Sequence, residues 1–92
     1  MTTQRQTVTI VNKRGLHARA SAKFVGAVSQ VPAETQVRVA KDGNEAASGS
    51  VLGLMMLGAA KGDNIELIVQ GVDADGVLQE LCALVEDGFG EE

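Results

Sequence analysis

The sequence predicts an α+β fold: an open-faced two-layer sandwich in the order β-α-β-β-α-β-α, with a four-stranded antiparallel sheet and three helices on one face. Three observations lead there. Four short runs place apolar residues at every second position, two longer runs place them at helical spacing, and a short apolar run follows a serine that can cap it. The chain of 92 residues is expected to form a single domain spanning residues 1–92. Folding at this size buries about 63% of the surface that the extended chain exposes. That suffices for one sheet covered by helices and leaves no room for a second domain or a deep cleft.

The elements follow in order. Thr7-Val8-Thr9-Ile10-Val11 alternates, with Val8 and Ile10 inward, and reads as the first strand. Asn12-Lys13-Arg14-Gly15 breaks it with a basic, polar turn. From His17 onward the period becomes helical: Ala20, Phe24, Ala27, Val28 and Val31 share one face, while Arg19, Lys23 and Gln30 mark the other. Pro32 is expected to stop this helix, because a proline disfavours helical backbone at the residue before it. Residues 36–40 form the second strand with Val37 and Val39 inward, and Lys41-Asp42-Gly43-Asn44 carries the Asp-Gly hairpin signal. A short third strand, residues 45–47, should follow.

Ser50 is placed to cap a helical run over residues 51–57, with Gly58 as its left-handed stop and Leu54 and Leu57 inward. Ile65, Leu67 and Val69 alternate with Glu66 and Gln70 in a fourth strand. Asp73 or Asp75 can cap the last helix, whose buried stripe is Ala74, Val77, Leu78, Leu81, Cys82 and Val85. Phe89 is expected to anchor the tail, and the last two glutamates to fray. The far face of the sheet would carry Thr7, Thr9, Gln36, Arg38, Glu66 and Gln70, a set suited to water.

Composition excludes several functions. Phe24 and Phe89 are the only aromatics, so base-stacking platforms for single-stranded nucleic acid are absent. One cysteine and one histidine rule out a disulfide framework and a thiolate zinc site, so no metal or cofactor is expected. The longest apolar run, residues 51–60, contains two glycines and is too short to span a bilayer. The polar start of the chain lacks signal-peptide character, and the expected location is cytoplasmic. Net charge is −4, but all twelve acids lie at Glu34 or later, whereas Arg5, Lys13, Arg14, Arg19 and Lys23 precede them. This asymmetry points the N-terminal segment toward something anionic. The acidic remainder argues against a nucleic acid and favours a phosphoryl group or an acidic protein patch.

His17 stands at the start of a helix, where free backbone N–H groups and the helix dipole make an anion site. Arg19 lies two residues on, with a guanidinium able to hold phosphate by two bonds. Lys13, Arg14 and Lys23 flank the segment with no acid nearby in sequence. An ordinary imidazole titrates near about pH 6.5 and is mostly neutral, hence nucleophilic, at pH 7. A charge-assisted bond to an added phosphoryl group contributes about 1.5–3 kcal/mol, and the helix terminus roughly 0.3–1 kcal/mol more. A lone histidine is otherwise most often a solvated or capping residue; here its surroundings suit a phosphoryl group on nitrogen.

The segment Arg14-Gly15-Leu16-His17-Ala18-Arg19-Ala20-Ser21-Ala22-Lys23-Phe24-Val25 resembles the active-site segment of the histidine-containing phosphocarrier (HPr) family of the bacterial phosphotransferase system. Gly49-Ser50-Val51-Leu52-Gly53-Leu54-Met55-Met56-Leu57-Gly58 is similar to that family's regulatory-serine segment, and Lys61-Gly62-Asp63 leads into a similar strand and final helix. The resemblance implies the family's open-faced sandwich. It makes His17 a phosphoryl acceptor on Nδ1, with phosphorylated enzyme I as donor and an enzyme IIA-type protein as recipient, and makes Arg19 the phosphate-stabilising partner. A stoichiometric carrier, not an enzyme, is implied, and a monomer with weak, fast docking. Ala20 departs from the family, which usually has proline there. Alanine is a good helix former and keeps the turn less rigidly. The Ala20-Ser21-Ala22-Lys23 version looks like the nitrogen-related (NPr) branch.

By the same resemblance Ser50 is the target of an ATP-dependent HPr kinase/phosphorylase, with Ser48 a competing site; as a bare cap Ser50 would contribute about 1 kcal/mol. Ala22, Lys23, Val51, Leu52 and Met55 would meet the partners, although ordinary core packing accounts equally well for any one of the apolar residues. Two other functions compete. A non-catalytic regulatory module of the same fold would act by contact through Val51, Leu52 and Met55, with His17 a mere cap. An acyl-carrier-like protein would bear a prosthetic group on Ser50, but that class is all-helical and three alternating strands oppose it. Cys82, on the apolar stripe of the last helix, reads as inert core.

Overall fold

A computed structural model describes residues 3–91 of the chain. It contains β1 (Thr3–Thr9), α1 (Ala18–Val28), β2 (Gln36–Lys41), β3 (Asn44–Ala47), α2 (Val51–Met56), β4 (Asn64–Gln70), α3 (Ala74–Glu86) and a final 3-10 turn (Gly88–Gly90). The sheet order is β1-β4-β2-β3, with every neighbouring pair antiparallel. Alternation decides its two faces. Val8, Val37, Val39, Ile65, Leu67 and Val69 are buried under the helices, which contribute Ala20, Phe24 and Leu54 and the whole expected stripe of α3.

Several boundaries differ from those expected. The first strand starts at Thr3 and ends at Thr9 instead of running from Thr7 to Val11. Its early residues are polar, so no hydrophobic alternation announces them; the ladder to β4 recruits them, pairing Thr3 with Gln70 through Thr9 with Asn64. Ile10 leaves the strand but stays fully buried, its N–H donating to Asp63 and its carbonyl accepting from Gly62. Helix α1 stops at Val28, before the approach to Pro32. The N–H groups of Gln30 and Val31 turn back onto the carbonyls of Ala27 and Val28, which tightens the chain ahead of the proline. Asp42 and Gly43 both adopt positive φ, at 51° and 84°, the geometry of a type I′ hairpin between β2 and β3.

The far face of the sheet is less polar than expected. Ile68, on the central strand β4, is 1% exposed on that side. Its cross-strand partners are Arg5 on β1 and Arg38 on β2. Their aliphatic stems can cover it while the guanidinium groups reach Glu66 and Glu45 at the surface.

The tail also departs from expectation. Phe89 is buried as foreseen, at φ 59°. Glu91, however, does not fray: its side chain is only 18% exposed and bonded at both oxygens. Glu92 lies outside the described residues.

Candidate functional site

Residues 12–16, the first turn of α1 and the tail meet at one place. Gly15 has φ 63°, and any side chain there would run into the backbone of Ala59 and Ala60. The space is left empty so that Leu16 N–H can donate to the Ala59 carbonyl at 2.9 Å. Ser21 Oγ donates to the Leu16 carbonyl from inside the helix. The loop is thus tied on both sides immediately before His17.

His17 is the N-cap of α1. Its backbone is extended, and Nδ1 accepts the Arg19 N–H at 3.2 Å. The other nitrogen, Nε2, lies 2.9 and 3.1 Å from the two carboxylate oxygens of Glu91. A carboxylate only accepts, so Nε2 carries the proton and donates it, leaving Nδ1 as the unprotonated nitrogen. The ring is 22% exposed, at the surface and out of the apolar interior.

Glu91 corrects an expectation. The basic segment was expected to have no acid beside it, yet an acid arrives from 74 residues downstream. Asn12 holds it in place: its Nδ2 donates to the Gly15 carbonyl at 2.8 Å and to Glu91 at 3.0 Å. Flipping that amide would set its oxygen against two acceptors, so the network decides the orientation. Asn12 Oδ1 has no partner among the described residues. Lys23 Nζ donates to the Phe89 carbonyl at 2.7 Å, a second tether on the tail. The bond from His17, helped by Asn12 and by the charge of Lys23, holds the Glu91 carboxyl below the usual carboxylate range against the opposing effect of burial.

An open cleft of about 470 Å³ is lined by Lys13, Arg14, Arg19, Lys23, Gly90 and Glu91, and so includes the two residues bonded to the His17 ring. Among the described residues, Lys13, Arg14 and Arg19 make no ion pair, and with Lys23 they outnumber the one carboxylate of the lining, Glu91. Four cations against one carboxylate around an open space, next to an unprotonated ring nitrogen's amide partner, suit a small dianion.

A family model for the PTS HPr component phosphorylation site matches residues 4–87. The chain belongs to the HPr family. Phosphocarrier protein HPr of Pseudomonas aeruginosa is 44% identical over 85 residues, covering 91% of this chain and 92% of that protein. Phosphocarrier protein NPr of Shewanella violacea is 43% identical over 91 residues, covering 99% and 98%. The crystal structure of an HPr from Thermoanaerobacter tengcongensis superposes with a TM-score of 0.89 at 37% identity, over 97% of this chain and 98% of that one. The open-faced HPr sandwich is therefore shown in both sequence and fold, and the likeness extends to HPr and NPr proteins alike.

The remaining residues singled out by the HPr resemblance divide clearly. Ser50 caps α2, its Oγ accepting Gly53 N–H at 2.9 Å, and it is exposed. Ser48 is 3% exposed and donates to the Val37 carbonyl, so it drops out as a modification site. Leu52 is 67% and Met55 39% exposed, Ala22 and Lys23 are on the surface, and Val51 is half-buried. Met56, at 77%, is the most exposed apolar residue of α2 and belongs with them. Helix α2 packs against α1, which puts this apolar surface beside the helix that begins at His17. Burial pushes the Cys82 thiol up, as befits inert core. The residues that sequence reasoning missed are Asn12 and Glu91; the buried Phe89 two positions earlier was the available clue to Glu91.

Proposed function

We propose that the chain works as one domain, residues 1–92, whose His17 accepts a phosphoryl group on Nδ1 from phosphorylated enzyme I and passes it to a histidine of an enzyme IIA-type protein. Membership of the HPr family makes it a phosphocarrier of the phosphotransferase system. The finer roles rest on one observation: the unprotonated Nδ1 of His17 accepts the Arg19 amide in the first turn of α1, and Arg19 lines a basic cleft.

In this mechanism the Nδ1 lone pair forms the new N–P bond as the donor's N–P bond breaks, and the donor nitrogen keeps the bonding pair. Nε2 keeps its proton throughout. The Arg19 N–H that caps the ring does so at 3.2 Å, a long bond that a phosphoryl oxygen can take over. Arg19 and the neighbouring cations then hold the dianion, and the exposed site lets a second partner reach the phosphorus from the solvent side. The protein is consumed and regenerated in equal amounts, so it is a relay substrate and not a catalyst. It acts as a cytoplasmic monomer that docks through Ala22, Lys23, Val51, Leu52 and Met55.

Ser50 is the regulatory site in this proposal, open to an HPr kinase/phosphorylase. A phosphate there adds about −2 charge at a helix start, where it is tolerated locally, and on the face a partner must approach.

Incubation with enzyme I and phosphoenolpyruvate tests the central claim by intact mass before and after acid treatment. One acid-labile phosphate, absent in His17→Ala, is expected; an acid-stable phosphate, or none, overturns it.

A further inference from the structure

We infer that Glu91, steadied by Asn12, is a positioning residue for phosphoryl transfer: it accepts the Nε2–H of His17 and so keeps Nδ1 as the nitrogen that takes the phosphoryl group. The inference rests on the carrier reading above and adds a residue to it from the far end of the chain.

Three independent ties bring the carboxylate to the ring. Phe89 is sunk in the core at 1% exposure, its carbonyl is held by Lys23 at 2.7 Å, and Asn12 reaches Glu91 itself at 3.0 Å. Asn12 is 3% exposed, and the same Nδ2 also grips the loop before His17 through the Gly15 carbonyl. One side chain therefore sets the carboxylate and the histidine loop in register. Both Glu91 oxygens lie within 3.1 Å of Nε2, closer than the 3.2 Å amide contact at Nδ1. The Nε2 end of the ring is held by a charged acceptor and the Nδ1 end by a neutral donor that an incoming oxygen can replace.

The chemistry uses this asymmetry. As Nδ1 bonds to phosphorus it loses electron density and positive charge spreads over the ring to Nε2–H. The Glu91 carboxylate meets that charge, as the buried carboxylate does for the histidine of a hydrolytic triad. The phosphoryl dianion itself is met by the cations of the cleft, Lys13, Arg14, Arg19 and Lys23. No proton moves to or from Glu91, so the residue acts through the ring and not on the phosphorus.

The test uses the full chain and has two readouts. In the unphosphorylated protein, ¹⁵N-edited NMR at neutral pH should show a hydrogen-bonded proton signal on His17 Nε2; Glu91→Ala should lose it, and Glu91→Gln, which still offers an oxygen, should keep it. Phosphoryl uptake from phosphorylated enzyme I should slow by roughly tenfold or more in Glu91→Ala, by analogy with the loss of the carboxylate that orients a metal-bound histidine. Glu91→Gln should lose less. An unmutated protein without the Nε2–H signal, or a Glu91→Ala protein that takes up phosphate at the unmutated rate, overturns the inference while leaving His17 as carrier. Failure of the unmutated protein to take up phosphate, with the signal present, overturns the carrier reading and the transfer role of Glu91 together.

Discussion

Phe89 offers a sharp test of how the tail is held, because two opposed effects act at one residue. Its ring is 1% exposed and among the largest fully buried side chains. Truncating such a ring to alanine removes burial and leaves a cavity, at a cost of about 3–5 kcal/mol. The backbone at Phe89 also sits at φ 59°, ψ 26°, a left-handed conformation that costs any residue with a Cβ about 1–2 kcal/mol. Glycine escapes that cost but forgoes one more buried methyl, worth about 0.8 kcal/mol. Phe89→Gly should therefore be as stable as Phe89→Ala or more so, by up to about 1 kcal/mol, although it has less to bury. Urea unfolding measures this directly. With a slope near 1.5 kcal/mol/M, a loss of 3 kcal/mol lowers the midpoint by about 2 M. A Phe89→Ala midpoint within about 0.5 M of the unmutated protein would show that the ring is not core. A Phe89→Gly protein clearly weaker than Phe89→Ala would show that the backbone there is not left-handed.

Three further outcomes are expected. Ser50→Ala should cost about 1 kcal/mol in urea melts by leaving Gly53 N–H uncapped, whereas Ser50→Asp should keep the cap and slow phosphoryl uptake at His17; an unchanged rate removes the regulatory proposal. Ile68→Ala should destabilise by about 2–4 kcal/mol despite its place on the open face of the sheet, and a change under about 0.5 kcal/mol would mean that the two arginines do not cover it. The lowered folded value of Glu91 gives a pH signature. Its contribution is complete above the ordinary carboxylate range, near about pH 4.3, and is lost as pH falls through the lower folded value. Stability should then drop more steeply between pH 5 and pH 3 in the unmutated protein than in Glu91→Gln; parallel slopes would mean that the carboxylate is not held.

Much of this was legible in the sequence, for a physical reason. A strand or helix with one buried face must repeat its apolar residues at the period of its backbone. The six-residue stripe of α3 and the inward set Ile65, Leu67 and Val69 of β4 could accordingly be read without error. Caps are equally local: Ser50 and His17 each bond to an amide two or three residues away, so the chain announces them. The Asp42-Gly43 turn belongs to the same class, because positive φ at both positions favours few residue types.

What escaped was decided by partners distant in sequence. The early residues of β1 are polar and form a strand because β4 presents a ladder 61 to 67 residues away. Ile68 breaks the rule that a strand has one dry face: it is buried on the far side of the sheet, where arginines on two other strands stand opposite it. The same logic governs the site. The cations around His17 are close neighbours in the chain and were visible; the carboxylate that orients the ring comes from a terminus whose glutamates, taken alone, look like solvated tail. A buried aromatic near a chain end carries the missing information, because anchoring Phe89 leaves Glu91 only two residues of freedom. With Lys23 and Asn12 restraining even those, the last turn becomes a wall of the cleft.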